Sequence, residues 1–353
     1  MKKSFTLFII ACLLGMANLQ AQVATLEHQG TSTAYYGTNS FLDAYNASVD
    51  GDAIILSSGA YSTYDGNTYY GYLTITKAIQ IIGTGHYNDS VYSTTFIDHL
   101  FLGNGASNIT IEGVKINYFQ NFGSVSNLAL RRCYFANVLY LGGGTLNNFL
   151  IEGSVFPGIN FNNPNTSSNI VIRNNIIFGG LAFISGSGII ENNILTLTSS
   201  CGSYLFSNIN GVLIRNNAIW CYSNLNQCGY QGGLCAGCNG NTTENNFYDI
   251  TGGVSYNFDP NTNTVNNNYS GSITTLYPSG LGATFDYNTD YHIQNPTQYI
   301  GTDGTQIGIY GGSTPYKENA VPSNPRIVHK FIAPQGDADG NLQINIKVKA
   351  QNY

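Results

Sequence analysis

The chain has 353 residues, of which 42% are hydrophobic and only 9% are charged. A chain of this length can bury a large core. Its net charge of −6, without any basic cluster, argues against a nucleic-acid-binding function.

Residues 1–21 have the pattern of a secretory signal peptide. Two lysines precede an apolar run that extends from Phe5 to Met16, and Ala21 lies at the expected cleavage position. The residues before Cys12 loosely resemble a lipoprotein box, but the apolar run continues past this cysteine, which favours ordinary cleavage over a lipid anchor. We therefore predict an exported protein (secreted, periplasmic or at the cell surface) whose mature chain has no transmembrane segment.

Residues 22–50 are predicted to form an N-terminal cap. Asn39 or Ser40 can begin a short helix over residues 41–47. Such a helix would cover the open end of the repeats that follow.

Residues 51–312 carry a nine-residue pattern that recurs about every twenty residues. Copies begin at residues 108, 127, 148, 169, 187, 211 and 240. Positions 2 and 4 are apolar in most copies, as in Ile170 and Ile172, and side chains two apart on a strand point to the same face. Short strands at this period are typical of a solenoid, in which each coil buries its apolar face against its neighbours.

Position 6 of the pattern is predicted to turn a corner. The inward-facing positions change from 2 and 4 to 7 and 9, so one residue is used to change direction. Glycine and asparagine accept a left-handed backbone at the lowest cost. The residues at this position include Gly113, Gly153, Asn174, Asn192, Asn216 and Asn245.

Position 7 predicts a buried asparagine ladder. Asparagine side chains stacked about 4.8 Å apart can hydrogen-bond from coil to coil and so satisfy their buried amides. The predicted members are Asn175, Asn193, Asn217, Asn246 and Asn268.

Position 5 predicts an ion-pair ladder on the outer face. All seven residues are charged and their signs alternate, although charged residues are scarce in this chain. In a parallel stack each arginine would lie between two carboxylates and help to fix the register, each exposed contact contributing about 0.2–1 kcal/mol. We assign a structural role to these residues, which are Glu112, Arg131, Glu152, Arg173, Glu191, Arg215 and Glu244.

Cysteines are predicted to brace the longest coil. Cys133 occupies position 7 and is interpreted as an inert core thiol. Export favours disulfides in the long coil, whereas one Cys-x-x-Cys pair without a nearby histidine leaves zinc as the alternative. The connectivity and the partner of Cys201 are not determined. The disulfide candidates are Cys221, Cys228, Cys235 and Cys238.

Residues 313–353 are predicted to form a C-terminal extension. Prolines punctuate its first part. Residues 342–350 alternate between apolar and polar, which predicts a half-buried strand along the flank or the end of the solenoid. Residues 337–341 have the start of a calcium loop without its closing glutamate, which favours a plain turn.

Residues 51–61 and 73–83, together with the repeats, resemble the pectin-lyase-like right-handed parallel β-helix superfamily. The resemblance covers residues 50–312. It implies an all-β fold: a single-stranded right-handed parallel β-helix between an N-terminal cap and a C-terminal strand extension. This superfamily includes polysaccharide lyases, glycoside hydrolases, esterases, adhesins and proteins without known chemistry, so the fold alone assigns no activity.

Four residues are the candidates for chemistry. Arg132 lies in the corner column among glycines and asparagines, and a strained residue can mark a functional site. Lys115 lies one coil before Arg132, and Asp98 and His99 lie about one coil earlier still. A base beside a cation would suit β-elimination from a uronic acid, with calcium as the cofactor if the protein is a lyase. The sequence favours the alternative, a solvated turn with scattered charge, and it predicts no metal site.

Tyrosine is dense between residues 55 and 95, where the rings could either stack on sugars or pack on loops of the first coils. The leading prediction is an exported, non-catalytic β-helix protein that presents a surface to a polysaccharide or another cell-envelope component. The alternatives are a polysaccharide lyase or glycoside hydrolase, and a purely structural or adhesive surface protein. The sequence predicts no oligomeric state.

Overall fold

A computed structural model shows an all-β chain with 47% strand and 5% helix. Parallel stacked coils form a β-solenoid of about seven turns, which confirms the predicted fold class. The structure describes residues 22–66, 71–87, 94–161, 167–197, 204–221, 234–249, 258–282, 284–318, 325–332, 335 and 339–349. The predicted signal peptide, including Cys12, lies outside these residues.

The elements follow one another in short segments along the chain. The first are β1 (Val23–His28), β2 (Thr31–Tyr36), α1 (Ser40–Ala47), β3 (Ala53–Leu56), β4 (Gly59–Tyr61), β5 (Thr74–Ile75), β6 (Gln80–Ile82), β7 (Thr95–Leu102), β8 (Ser107–Glu112), β9 (Lys115–Asn121) and β10 (Val125–Arg131). Next come β11 (Tyr134–Phe135), β12 (Leu139–Tyr140), β13 (Leu146–Glu152), β14 (Val155–Phe156), β15 (Ile159–Asn160), β16 (Ser167–Arg173), β17 (Ile176–Ile177), β18 (Leu181–Ala182), β19 (Ser185–Glu191) and β20 (Ile194–Leu197). The last are β21 (Phe206–Ser207), β22 (Asn210–Arg215), β23 (Ala218–Cys221), β24 (Cys235–Ala236), β25 (Thr242–Glu244), β26 (Phe247–Asp249), β27 (Thr264–Asn266), β28 (Tyr269–Gly271), α2 (Ile273–Leu276), β29 (Arg326–Ile332) and β30 (Ile344–Lys349).

Each regular coil has three faces. The first face is the parallel series β3-β6-β8-β10-β13-β16-β19-β22-β25-β27. The second is β9-β11-β14-β17-β20-β23-β26-β28, and the third is β9-β12-β15-β18-β21-β24. The long strands β7 and β9 contribute to both of these faces, so the faces are distinct only from the next coil onward.

The first corner is built as the pattern predicts. Residues at position 6 have a left-handed backbone, with φ of +67° at Gly113 and +53° at Asn174. Arg132 has φ of +51° in the same column. A side chain in this conformation costs about 1 kcal/mol unless it is glycine or asparagine, so the predicted strain at Arg132 is present.

The asparagine ladder runs through the buried side of this corner. Asn193 Oδ1 accepts hydrogen bonds from both the backbone N–H and Nδ2 of Asn175, at 2.9 and 3.1 Å. Asn193 in turn donates to Asn217 Oδ1 and to the carbonyl of Ile172. Asn246 and Asn268 continue the series, linked by the same kind of hydrogen bond, and Ser154 extends it by one coil.

A second, exposed asparagine ladder was not predicted. Position 1 is asparagine in four successive coils, and each of these residues has φ between +53° and +56°. Their side chains form hydrogen bonds of 2.7–2.9 Å along the stack. The members are Asn108, Asn127, Asn148 and Asn169. The sequence does show this ladder, because asparagine recurs at position 1 of these copies of the pattern.

The ion-pair ladder is in register but is not evenly paired. Strand pairing places all seven charged residues in one column. Glu152 is contacted by both Arg131, at 3.1 Å, and Arg173, at 2.7 Å, whereas Glu191 is contacted by Arg215 at 2.8 Å. The carboxylates are more buried than an open outer face would allow, because another segment of the chain covers this corner.

Residues 272–318 form that covering segment, which we call the flank. The last parallel strand ends at Gly271, and the chain then turns back along the outer side of the second face. Apolar residues at position 8, such as Ile176 and Ile194, point outward there and pack with Ile309 in a second core. The sequence suggested solenoid coils up to residue 312; the structure differs because this outer face is itself apolar and must be covered.

Corner asparagines hold the flank in place. Asn174 Nδ2 donates to the carbonyls of Ile309 and Gly311, at 2.9 and 2.8 Å. Asn245 Nδ2 donates to the carbonyl of Ile300 at 2.9 Å. Asparagine therefore has two uses at position 6: it accepts the left-handed backbone, and its amide binds the flank.

The N-terminal cap closes the start of the solenoid. β1 pairs antiparallel with both β2 and β3. The helix α1 places Phe41 and Ala44 in the main core, where both are fully buried. Asn39 occupies the N-cap position, although its side chain makes no capping hydrogen bond.

The C-terminal strand lies in a two-stranded sheet of its own. β30 pairs antiparallel with β29 and with no strand of the solenoid among the described residues. The predicted strand is observed, but the side chains of Ile344, Ile346 and Val348 on its apolar face are 47–60% exposed, so this face is not packed on the solenoid as expected. Part of the predicted turn at residues 337–341 lies outside the described residues.

The cysteines divide into two groups. Cys235 and Cys238 lie at disulfide distance, with their Cα atoms 6.0 Å apart. Cys133 is free and fully buried, and burial raises the pKa of its thiol to about 12, which makes it unreactive. Cys221 ends β23, whereas Cys228 and Cys201 lie outside the described residues.

Asn193→Ala tests the buried ladder. The substitution leaves the Asn175 N–H and the Ile172 carbonyl buried without their partner, and each such group costs about 1–3 kcal/mol. We expect a loss of at least about 3 kcal/mol in urea unfolding.

Asn148→Gly is the matched control from the exposed ladder. Glycine keeps the backbone at φ of +56° and removes only exposed hydrogen bonds, so we expect a loss below about 1 kcal/mol. Equal losses in the two variants would contradict a special role for the buried ladder.

His86 is buried between the first coils and the flank. Its Nδ1 lies 2.7 Å from Tyr287 Oη, and the Tyr287 hydroxyl donates to the His86 carbonyl at 2.7 Å. The ring also contacts Tyr134 and Phe285. Burial, together with the positive charge of Lys115, lowers the pKa of His86 to about 3.

This burial predicts an acid-dependent loss of stability. Unfolded His86 binds a proton below about pH 6.5, whereas the folded protein excludes it down to about pH 3. The contribution is therefore complete above pH 6.5 and falls by up to about 1.4 kcal/mol per pH unit below it.

His86→Gln should reduce this dependence in thermal unfolding followed from about pH 7 to about pH 4. Wild type, unfolded over the same pH range and at the same ionic strength, is the reference. If His86→Gln and wild type lost stability in parallel, protonation of His86 would not be the cause.

Candidate functional site

The four candidate residues do not form one cluster. Arg132 lies at the first corner, where its Nη1 is 3.5 Å from Glu112 Oε1. Lys115 lies on the second face, with Nζ 5.2 Å from the centre of the Tyr134 ring. Asp98 and His99 lie together at the second corner, between the second and third faces.

Two consecutive outward residues mark this second corner. Asp98 and His99 both face outward on β7, and Asn117 and Tyr118 do so on the neighbouring β9. Asn117 Nδ2 donates to Asp98 Oδ1 at 2.7 Å, which ties the two coils together. Because the strands are parallel and in register, His99 lies directly beside Tyr118.

Aromatic rings stack along this corner. The His99 ring lies 4.0 Å from the Tyr72 ring and 4.7 Å from the Tyr118 ring, with interplanar angles of 15° and 20°. Phe101 closes one side, with its ring edge-on to those of Tyr72 and His99. The imidazole is therefore held in a fixed orientation between two phenol rings.

The stack opens into a cleft of about 290 Å³. Tyr118 is 44% exposed and Tyr140, on the next coil, is 43% exposed. Val138 follows Tyr118 in the stack and has no ring, so the far face of Tyr118 remains open. We call this the aromatic cleft; its lining residues are Tyr72, His99, Phe101, Tyr118, Phe119, Gln120, Val138 and Tyr140.

The geometry suits binding better than elimination. His99 Nδ1 lies 2.9 Å from Asp98 Oδ2, but in a direction that makes no hydrogen bond. Lys115 and Arg132 make their contacts elsewhere, so neither cation lies with this pair to stabilise an enolate. The β-elimination mechanism needs base and cation on the same substrate group, and the structure does not bring them together.

Metal and membrane features are not found in the described residues. No group of three or more His, Cys, Asp and Glu side chains is placed there to hold a metal ion. No helix in the described part of the chain is long and apolar enough to cross a membrane.

Sequence reasoning proposed His99 for catalysis and included Tyr72 in the tyrosine-rich region, but it missed Tyr118 and Tyr140. Tyr118 follows His99 by nineteen residues, and Tyr140 follows Gln120 by twenty, which is the coil period. A search at this spacing would have paired His99 with Tyr118, but it would have missed Tyr72, which precedes His99 by 27 residues. Tyr61, from the same tyrosine-rich region, is buried, so only part of that region forms a surface.

Comparison with known proteins adds no family assignment: no protein-family model, curated protein or solved structure matches this chain.

Proposed function

We propose that this protein is an exported, non-catalytic parallel β-helix protein that binds a polysaccharide in the aromatic cleft. The stack of Tyr72, His99 and Tyr118, which ends in an exposed tyrosine face, is the observation that supports it. The signal-peptide pattern supports export, and the parallel solenoid supports membership of the pectin-lyase-like superfamily.

A sugar ring matches the chemistry of this cleft. Pyranose rings have apolar C–H faces and hydroxyl groups at their edges. Tyrosine offers a flat apolar face together with a polar hydroxyl, and it loses little conformational entropy on binding. Tyr118 and Tyr140 supply such faces, while Gln120, Asp98 and Asn117 supply hydrogen-bonding groups along or near the rim.

The repeat of the coils favours a chain over a single sugar. The cleft spans the coils that carry Tyr72, His99, Tyr118 and Tyr140, and successive strands are about 4.8 Å apart. Tyr72 and Tyr118 cover the faces of His99, so a ligand that runs along the solenoid axis packs on the exposed rings of Tyr118 and Tyr140. This arrangement favours a polysaccharide over a small metabolite.

A polysaccharide lyase or hydrolase remains the second candidate, because Asp98 and His99 meet at the rim of the same cleft. An enzyme would release unsaturated or reducing ends from the bound polysaccharide. The non-catalytic proposal predicts that purified protein, with calcium added, releases neither.

Tyr118→Ala tests the proposed function. The substitution removes the exposed ring face, and we expect at least a tenfold loss of affinity (about 1.4 kcal/mol) for a polysaccharide identified in a panel of neutral and acidic chains. Affinity electrophoresis in gels that contain each polysaccharide measures this loss. Tyr118→Phe should keep most of the affinity because the ring face is retained.

Tyr36→Ala is the matched control. Tyr36 lies on the cap hairpin and is 70% exposed, so its removal changes surface tyrosine content without touching the cleft. Binding that survives Tyr118→Ala unchanged, or a panel in which no polysaccharide is retarded, would refute the proposal.

A further inference from the structure

A second cleft lies between the first corner of the solenoid and the flank. Its volume is about 240 Å³, and residues 313–317 form the wall opposite the ion-pair ladder. We call it the cationic cleft. Its charged lining residues are Arg131, Arg132, Arg173, Lys317 and Glu152. Arg131 and Arg173 belong to the ion-pair ladder, whereas Arg132 and Lys317 are two further cations that the ladder does not require.

Positive charge is in excess here. Arg131 and Arg173 share the single carboxylate of Glu152. Arg132 reaches Glu112, which is almost fully buried. Among the described residues, two carboxylates thus face four cations, which leaves the cleft about two charges positive.

Arg132 occupies a costly position. Its backbone has φ of +51°, in a column where the neighbouring coils have Gly113 and Gly153. Its side chain is only 11% exposed and lies at the base of the cleft. Asparagine or glycine would relieve this strain, and strain retained at a cleft is a reason to look for a ligand.

The opposite wall is rigid. Tyr316 is buried in the second core, and its N–H donates to the carbonyl of Ile309 at 2.7 Å. This anchor fixes Pro315 and Lys317 on either side of it. The N–H of Gly312 donates to Thr305 Oγ1 at 2.7 Å. The site is therefore largely formed before any ligand binds, which lowers the entropy cost of binding.

A polar cleft adjoins the cationic one. It has a volume of about 350 Å³ and shares Arg173, Ser313 and Thr314 with its neighbour. Its other charged residues are Glu191, Arg215 and Asp303, so five cations face four carboxylates over the two clefts, with Glu112 counted beside Arg132. Asn174, Asn192 and Thr305 supply amide and hydroxyl groups.

We propose that the two clefts together bind a phosphorylated sugar, with the phosphate in the cationic cleft and the hydroxyl groups in the polar one. Guanidinium groups match phosphate oxygens in a bidentate geometry. A phosphate monoester carries about −1.5 to −2 charges at pH 7 and has three strong acceptor oxygens, which the guanidinium groups of Arg131, Arg132 and Arg173 can share. The site shares no residue with the aromatic cleft, so it stands or falls independently of the proposed function.

The test is calorimetric titration of the purified protein with glucose 6-phosphate. The probes for comparison are glucose, inorganic phosphate, glucose 6-sulfate and glucuronate. We expect glucose 6-phosphate to bind most tightly and glucose to show no binding. The affinity for glucose 6-phosphate should fall as the pH is lowered from about 7.5 to about 5, because the phosphate loses a negative charge near pH 6.

Two substitutions locate the site. Arg132→Asn fits the fold, since asparagine occupies this column at residues 174, 192, 216 and 245 with φ between +49° and +57°. Arg132→Asn combined with Lys317→Gln should weaken glucose 6-phosphate at least about tenfold. Lys347→Gln, which removes one exposed charge from β30, is the control and should leave the affinity unchanged.

Each alternative outcome would overturn a stated part of the inference. Unchanged affinity in the double variant, or no binding of either phosphate probe by wild type, would overturn the site. Equal affinity for inorganic phosphate and glucose 6-phosphate would refute the binding of the sugar hydroxyl groups in the polar cleft. If glucose 6-sulfate or glucuronate bound more tightly than glucose 6-phosphate, and the affinity for glucose 6-phosphate did not fall at low pH, the preference of the cationic cleft for phosphate would be refuted.

Discussion

The structure depends on one constraint: in a parallel solenoid, every position of a coil lies above the same position of the coil below, about 4.8 Å away. A column must therefore be made of residues that interact well with copies of themselves or with a strict partner. Asparagine does so because each amide has both donor and acceptor, as Asn193 shows between Asn175 and Asn217. Glutamate and arginine do so only in alternation, as in the position 5 column.

The flank is the second constraint, and it explains why the columns are not uniform. Where position 6 is asparagine, as at Asn174 and Asn245, its amide reaches flank carbonyls at residues 300, 309 and 311. Earlier coils have Gly113, Arg132 and Gly153 at this position. The flank thus covers an apolar outer face, and its edge leaves a cleft beside the arginines of the ladder.

Both candidate sites arise where the repeat is broken by a side chain that the fold does not require. His99 and Tyr118 place rings on a corner where the next coil has Asn137 and Val138. Arg132 places a guanidinium where glycine would be less strained. In a repetitive protein the columns hold the coils together, so departures from the columns are where binding chemistry is expected.

The sequence by itself determined the coil: its period, its inward positions, the left-handed corner and the two ladders at positions 5 and 7. These features are local and repeated, so each copy supports the interpretation of the others. It also pointed to Arg132 and His99 as unusual. It could not determine the path of residues 272–318 or the separate sheet of β29 and β30, because these segments have no repeat. Only the tertiary structure showed that Lys115 and Arg132 lie apart from Asp98 and His99. It also showed that tyrosines from successive coils form one cleft and that the flank completes another. Each of these features depends on contacts between residues far apart in the chain.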